Sequence, residues 1–171
     1  ASIVSLHDQG YSPTKQSLRG GTQNAGNLFH SGDEAINLLK IELTNIVRQY
    51  AQELHSVKNP YLKPLLRDHP EITTAWSTIL SGPDHDNSHI HNEGWISGVY
   101  YVKVPSLELE DASDFSGHLQ VGEPPERFHT PNQNALSYIR PVEGTVVLFP
   151  SYFWHGVIAH NTPSIRHAIA F

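Results

Sequence analysis

Between Ile72 and Phe171 the chain repeats one arrangement seven times: a short run rich in Val, Ile, Thr and aromatic residues, closed by a cluster of Gly, Pro, Asn or Asp. The runs are Ile72–Leu80, Trp95–Val104, Gly117–Val121, Ala135–Ile139, Thr145–Phe149, Tyr152–Ile158 and Ile165–Phe171. Branched and aromatic side chains suit a pleated, half-buried surface, and the punctuating residues supply the turns between strands. With no helical pattern between successive strands, a parallel doubly wound sheet is disfavoured and an antiparallel sandwich or barrel is expected. Neither G-x-G-x-x-G nor a Walker sequence is present, and the Gly20-Gly21 pair is too isolated to cradle a phosphate.

Upstream the pattern differs. The first thirty residues, rich in Gly, Ser, Gln and Asn, have no sustained periodicity and read as an extended arm. After Ser31-Gly32-Asp33-Glu34, which has the S-x-x-E spacing of a capping box, apolar residues fall at Ile36, Leu39, Leu43, Ile46, Val47, Tyr50 and Leu54. That spacing predicts one amphipathic helix ending before Pro60, with a shorter helical piece over Leu62–Arg67. A helix with one apolar stripe must cover something apolar, and a sheet face is the natural partner. The expected fold is therefore mainly β with a flanking helix (α+β), one long N-terminal helix packed on a β sandwich. With no linker and no repeat, residues 1–171 read as a single domain: an arm over 1–30, a helical part over 31–70 and a β core over 71–171.

Seventeen acidic against eleven basic residues give a formal net charge of −6, which argues against nucleic acid or an anionic membrane as the main partner. No apolar run approaches the roughly 20 residues of a membrane span, and no signal-peptide pattern opens the chain, so a cytoplasmic protein is expected. With 38% apolar residues and a mean hydropathy of −0.37, the composition is that of a globular domain. There is no cysteine, so a metal could sit only on His, Asp or Glu, and twelve histidines make that worth pursuing.

Three places carry chemistry. His89-Ile90-His91 lies at the entry to the strand near Trp95, and two imidazoles one residue apart share a side if the backbone is extended. His155 stands alone in the strongly apolar stretch Phe149–Gly156. Arg166, in the terminal strand, should share a face with Ala168 and Ala170, and a guanidinium among small residues can grip a carboxylate bidentately. Singly, these are ordinary: surface histidines, a hydrogen-bonded core histidine, a salt-bridged arginine. Together they form an ordered set, the pattern of a facial metal site with a 2-oxoglutarate clamp on a jelly roll.

The segments Gln16–Gln23 with Leu28-Phe29, His89–Tyr101 and Gly144–Gly156 resemble the 2OG-Fe(II) oxygenase family often found beside tetratricopeptide repeats. The resemblance runs from about Gln16 to Phe171 and implies a double-stranded β-helix (jelly roll). It further implies a dioxygenase using Fe(II), 2-oxoglutarate and O2 to hydroxylate a C–H bond, with release of succinate and CO2. Carried over by residue, it makes His89 and His155 metal ligands and Arg166 the partner of the distal carboxylate of 2-oxoglutarate. Tyr101, on the same face as His89 if the strand is regular, could assist Arg166. For the third ligand two registers fit, His89-x-His91 and His91-x-Glu93. The resemblance aligns His89 with the first ligand and so favours His91, with Glu93 as the alternative. His85 and Asp86 are remoter candidates for that ligand and read first as turn residues, and His118 and His160 stay open as neighbours of the metal.

The loop over 122–134, with the arm over 16–29, could form a lid. Trp76, Trp95 and Trp154 are expected on strands, lining core or cavity. The substrate is expected to be a small molecule or a peptide, with no nucleic-acid or membrane partner, and the chain could pair as a homodimer. Two other readings share the fold: a cupin-like three-His metalloenzyme that does not use 2-oxoglutarate, and a non-catalytic binding module. A cavity-facing Arg166 would count against the former.

Overall fold

The structure, a computed structural model, describes residues 2–7, 17–54, 70–106, 114–128 and 136–171. One helical turn, α1 (Ser2–Ser5), precedes the short strands β1 (Leu18–Arg19) and β2 (Thr22–Gln23), a 3-10 turn (Leu28–His30) and the helix α2 (Glu34–Leu54). The β core then runs β3 (Trp76–Ser81), β4 (His85–His89), β5 (Ile96–Lys103), β6 (Leu119–Val121), β7 (Ser137–Ile139), β8 (Val146–Pro150), β9 (His155–Val157) and β10 (Ile165–Ala170). These strands form two five-stranded sheets, ordered β1-β4-β9-β6-β7 and β2-β3-β10-β5-β8. Every strand pair is antiparallel, and strands joined by short connections, such as β3 and β4 or β8 and β9, fall in opposite sheets.

Period-two alternation sorts the side chains into two layers. Val99, Tyr101, Phe149 and Ala168 face inward and meet Leu119 and Val121 of the opposite sheet. The alternate residues Tyr100, Val102, Leu148 and Ile169 face outward, where they would be wet without a cover. Helix α2 is among the elements that cover them, burying Ile36, Leu43 and Val47 in that outer layer. Each such side chain contributes about 1.5–3 kcal/mol on burial. Leu38 and Ile41 point the other way and are exposed.

Four features depart from expectation. The helix is capped by Asp33 rather than Ser31: the Asp33 carboxylate accepts from the Ile36 N–H at 3.1 Å, three residues on. The arm is built into the fold, since Leu28 and Phe29 are buried, β1 pairs with β4, and β2 pairs with β3. The chain crosses between the sheets at Gly20 and Gly21, with φ of 70° and 64°. A Cβ on Gly21 would lie 2.5 Å from the Ile79 carbonyl oxygen, so only glycine fits there. His85 and Asp86, expected in a turn, lie on a strand, and His89 of the His-x-His motif therefore ends β4 instead of opening β5. Trp95 and Trp154 lie just outside strands, and Trp95 is half exposed. The helical piece over Leu62–Arg67 and the later part of the 122–134 loop fall outside the described residues. Among the described residues no helix is long and apolar enough to cross a membrane.

Candidate metal centre

His89, at the end of β4, stands opposite His155, at the start of β9, in the antiparallel ladder. Directly opposed residues hold their side chains within contact distance, and here the ring centroids are 4.3 Å apart. A register shift between Asp86 and His89 turns both side chains into the interior although they are an odd number of residues apart. His91 follows just beyond β4, where its N–H donates to the Ser151 carbonyl at 3.0 Å. Its ring centroid comes to 4.8 Å from that of His155. One ring nitrogen from each histidine lies within 4.8 Å of the other two, and the Nε2 atoms of His89 and His91 are 3.2 Å apart. Nitrogens bound at about 2.1 Å to one ion, at right angles, lie about 3 Å apart, so the cluster is near ligating geometry.

The other ring nitrogens fix which atom faces inward. His89 Nδ1 donates to the Asn87 carbonyl at 2.8 Å, and His155 Nδ1 donates to the Phe153 carbonyl at 2.9 Å. His91 Nδ1 donates to Ser97 Oγ at 2.8 Å, and that hydroxyl passes its own proton to Ser151 Oγ at 2.9 Å. A protonated Nδ1 leaves Nε2 with its lone pair, which is the form a metal takes. Burial, with the neighbouring His89 adding to it, pushes His91 down to about 4 and His155 down to about 3, so both are neutral near pH 7.

A narrow cavity runs from this cluster between the sheets, and Arg166 lines it with Ala168 and Ala170, on the face that alternation assigns. Arg166 is 2% exposed, and its Nε and Nη2 have no hydrogen-bond partner. Its guanidinium sits over the Tyr101 ring, 5.1 Å from the centroid, and the Tyr101 hydroxyl is likewise buried without a partner. Tyr101 reaches this place from β5 in the opposite sheet to His89, not from a shared strand. Burial lowers the Arg166 pKa and raises that of Tyr101.

Of the two registers for the third ligand, the structure gathers His89, His91 and His155, while Glu93 is exposed and outside the group. His85 turns its Nδ1 to the Pro83 carbonyl and stays outside the cluster, as do His118 and His160. Asp86 is not a turn residue: it shares the cavity, its Oδ1 lying 3.9 Å from His89 Nδ1. His160 is buried with an unpartnered Nε2, and its pKa is lowered by burial and by Arg166. Ser97 and Ser151 went unread as site residues.

Residues 74–171 match the model of the family described as "Putative 2OG-Fe(II) oxygenase". The chain belongs to this family. Its first resembling segment, in the arm, lies outside the matched residues. Membership of this 2OG-Fe(II) oxygenase family implies Fe(II), 2-oxoglutarate and O2. The residues fit these groups: three inward Nε2 atoms for the metal, and buried, unsatisfied donors on Arg166 and Tyr101 for a carboxylate. A Pseudomonas putida prolyl-4-hydroxylase has a TM-score of 0.59 at 13% identity, covering 95% of this chain and 76% of that one. A Burkholderia pseudomallei oxidoreductase of the 2OG-Fe(II) oxygenase family gives 0.59 at 12% identity, over 99% and 75%. A viral collagen prolyl hydroxylase from Paramecium Bursaria Chlorella virus-1, in its 2OG complex, gives 0.57 at 10%, over 99% and 85%. At such identities the likeness is one of fold, the double-stranded β-helix. No curated protein matches the sequence.

Proposed function

We propose that this chain is an active Fe(II)- and 2-oxoglutarate-dependent oxygenase that hydroxylates a C–H bond of its substrate. His89, His91 and His155 hold the metal through Nε2, and Arg166, assisted by Tyr101, holds the distal carboxylate of 2-oxoglutarate. The observation that carries the reading is Arg166, a buried cation with unsatisfied donors in the same cavity as the three imidazoles. Leaving a buried guanidinium unpaired is costly, and a bidentate carboxylate removes that cost. With the metal and 2-oxoglutarate bound, the site supplies an oxidant for the C–H bond: C–H, O2 and 2-oxoglutarate give C–OH, succinate and CO2. The chain's part is to orient the cosubstrate, keep the imidazoles neutral and exclude water.

A three-His centre without 2-oxoglutarate, as in a cupin-like enzyme, draws support from the all-imidazole ligand set, but it leaves Arg166 without a task. The binding module predicts no turnover. Anaerobic addition of Fe(II) and 2-oxoglutarate should produce the visible charge-transfer band of the chelate, and admission of O2 should then release succinate. Arg166→Ala should keep metal affinity while weakening 2-oxoglutarate binding by about ten- to a hundredfold, since a charge-assisted contact is worth ~1.5–3 kcal/mol. Metal binding with no band, or an Arg166 variant with unchanged 2-oxoglutarate affinity, overturns the assignment.

A further inference from the structure

His91 and Trp76 line two hollows: the interior cavity, and an open cleft of about 950 Å³. That volume is at the upper end for ligand sites, so the cleft suits an occupant larger than one amino acid. Its rim carries Ile90, 39% exposed, and Trp95, 50% exposed, apolar groups set in water beside the metal cluster. Glu71 and Glu93, both exposed, line it too. Among the described residues neither carboxylate has an ion-pair partner, and none of those lining the cleft is Lys or Arg.

The walls are set in place. Ser151 receives the His91 N–H and donates its own N–H to the Trp95 carbonyl at 3.0 Å, which holds the loop over 91–95. Across the cleft, Asn27 donates to the Thr73 carbonyl and accepts the Ala75 N–H, pinning the segment before β3. Among the described residues the main-chain groups of Glu71, Ile72 and Thr74 have no hydrogen-bond partner, which leaves them to another main chain.

We infer that this cleft is the substrate-docking groove and that its occupant is an extended peptide with a lysine or arginine side chain. The aliphatic stem lies on Trp95 and Ile90, the cationic head reaches Glu71 and Glu93, and a neighbouring residue is presented at His91. This rests on the oxygenase reading for its consequence, but binding alone tests it.

The probe is a set of fluorescein-labelled decapeptides of one Gly-Ala-Ser scaffold with Lys, Arg, Gln or Glu at the centre, read by anisotropy on the full chain without metal. Lys and Arg peptides should bind about three- to tenfold tighter than the Gln peptide at low salt, the Glu peptide weakest, with the preference fading as salt rises. Glu71→Gln with Glu93→Gln should abolish the preference while the thermal melting curve stays that of the parent, and Trp95→Ala should weaken all four peptides. Equal binding of the four peptides, a preference that survives the double substitution, or competition by free arginine or spermidine at concentrations equal to the peptide overturns the proposal. Because no turnover is read, failure here leaves the oxygenase reading standing, and the reverse holds.

Discussion

At the scale of single residues, the centre depends on which nitrogen of each histidine keeps its proton. Backbone carbonyls settle this for His89 and His155, but His91 relies on the Ser97 hydroxyl, itself tied to Ser151. Ser97→Ala should therefore lower affinity for Zn(II) or Co(II) by about ten- to a hundredfold, the usual cost of losing a partner behind a ligating histidine, measured by competition with a chelator. Ser97→Thr, which keeps the hydroxyl, should restore most of it. The histidines and Arg166 could be read from the chain because their types and order carry chemistry. The serines could not, because a hydroxyl is ordinary anywhere and gains meaning only from the ring it touches. Glu93 shows the converse: its spacing from His91 suits a ligand, yet the turn that follows His91 leaves it in water.

At the scale of elements, α2 was legible because its stripe follows the helical period, whereas β4 was not. His85-Asp86-Asn87-Ser88-His89 has no apolar alternation, since the residues it turns into the cavity are the polar Asp86 and His89 and its strand character comes from its neighbours β1 and β9. Pairing of this kind has no local signature. Its register depends on Gly156 of β9, where a Cβ would sit 2.6 Å from the Asp86 carbonyl oxygen and 3.1 Å from the Ser88 nitrogen. These are main-chain atoms and cannot swing aside. Gly156→Ala should cost about 1–3 kcal/mol in a urea titration and lower metal affinity as well, because it pushes His89 away from His155. A stability loss with metal affinity untouched would mean that the register does not set the site.

At the scale of the whole molecule, α1's following turn, β3 and β10 meet in a buried polar knot. His7 Nε2 and His167 Nε2 both contact Ser77 Oγ, at 2.9 and 2.7 Å, and His7 Nδ1 contacts Thr22 Oγ1 at 2.9 Å. Burial, reinforced by His7, pushes His167 down to about 4. The folded chain thus resists a proton that the unfolded chain accepts near pH 6.5, so this contribution to stability is complete above that pH. It is lost progressively as pH falls from about 6.5 to 4, on the order of 3 kcal/mol in all. Unfolding free energies from urea titrations across that range should show the slope, and His167→Gln should flatten part of it. His91, His155 and His160 are shifted in the same direction and contribute to what remains. The sandwich class was legible from strand spacing, but the knot was not, since it joins residues whose proximity only the topology creates.

The Gly20-Gly21 crossing has a further effect at this scale. It places β1 and β2 as the outermost strands of the two sheets on one side of the molecule, so that a segment of a few residues occupies both hydrogen-bonding margins at once. Without it, β3 and β4 would offer open rows of amide donors and acceptors to any passing strand, the arrangement from which self-templated assembly begins. The same few residues that shut the roll thereby shorten the margin that this side leaves open to a strand of another molecule.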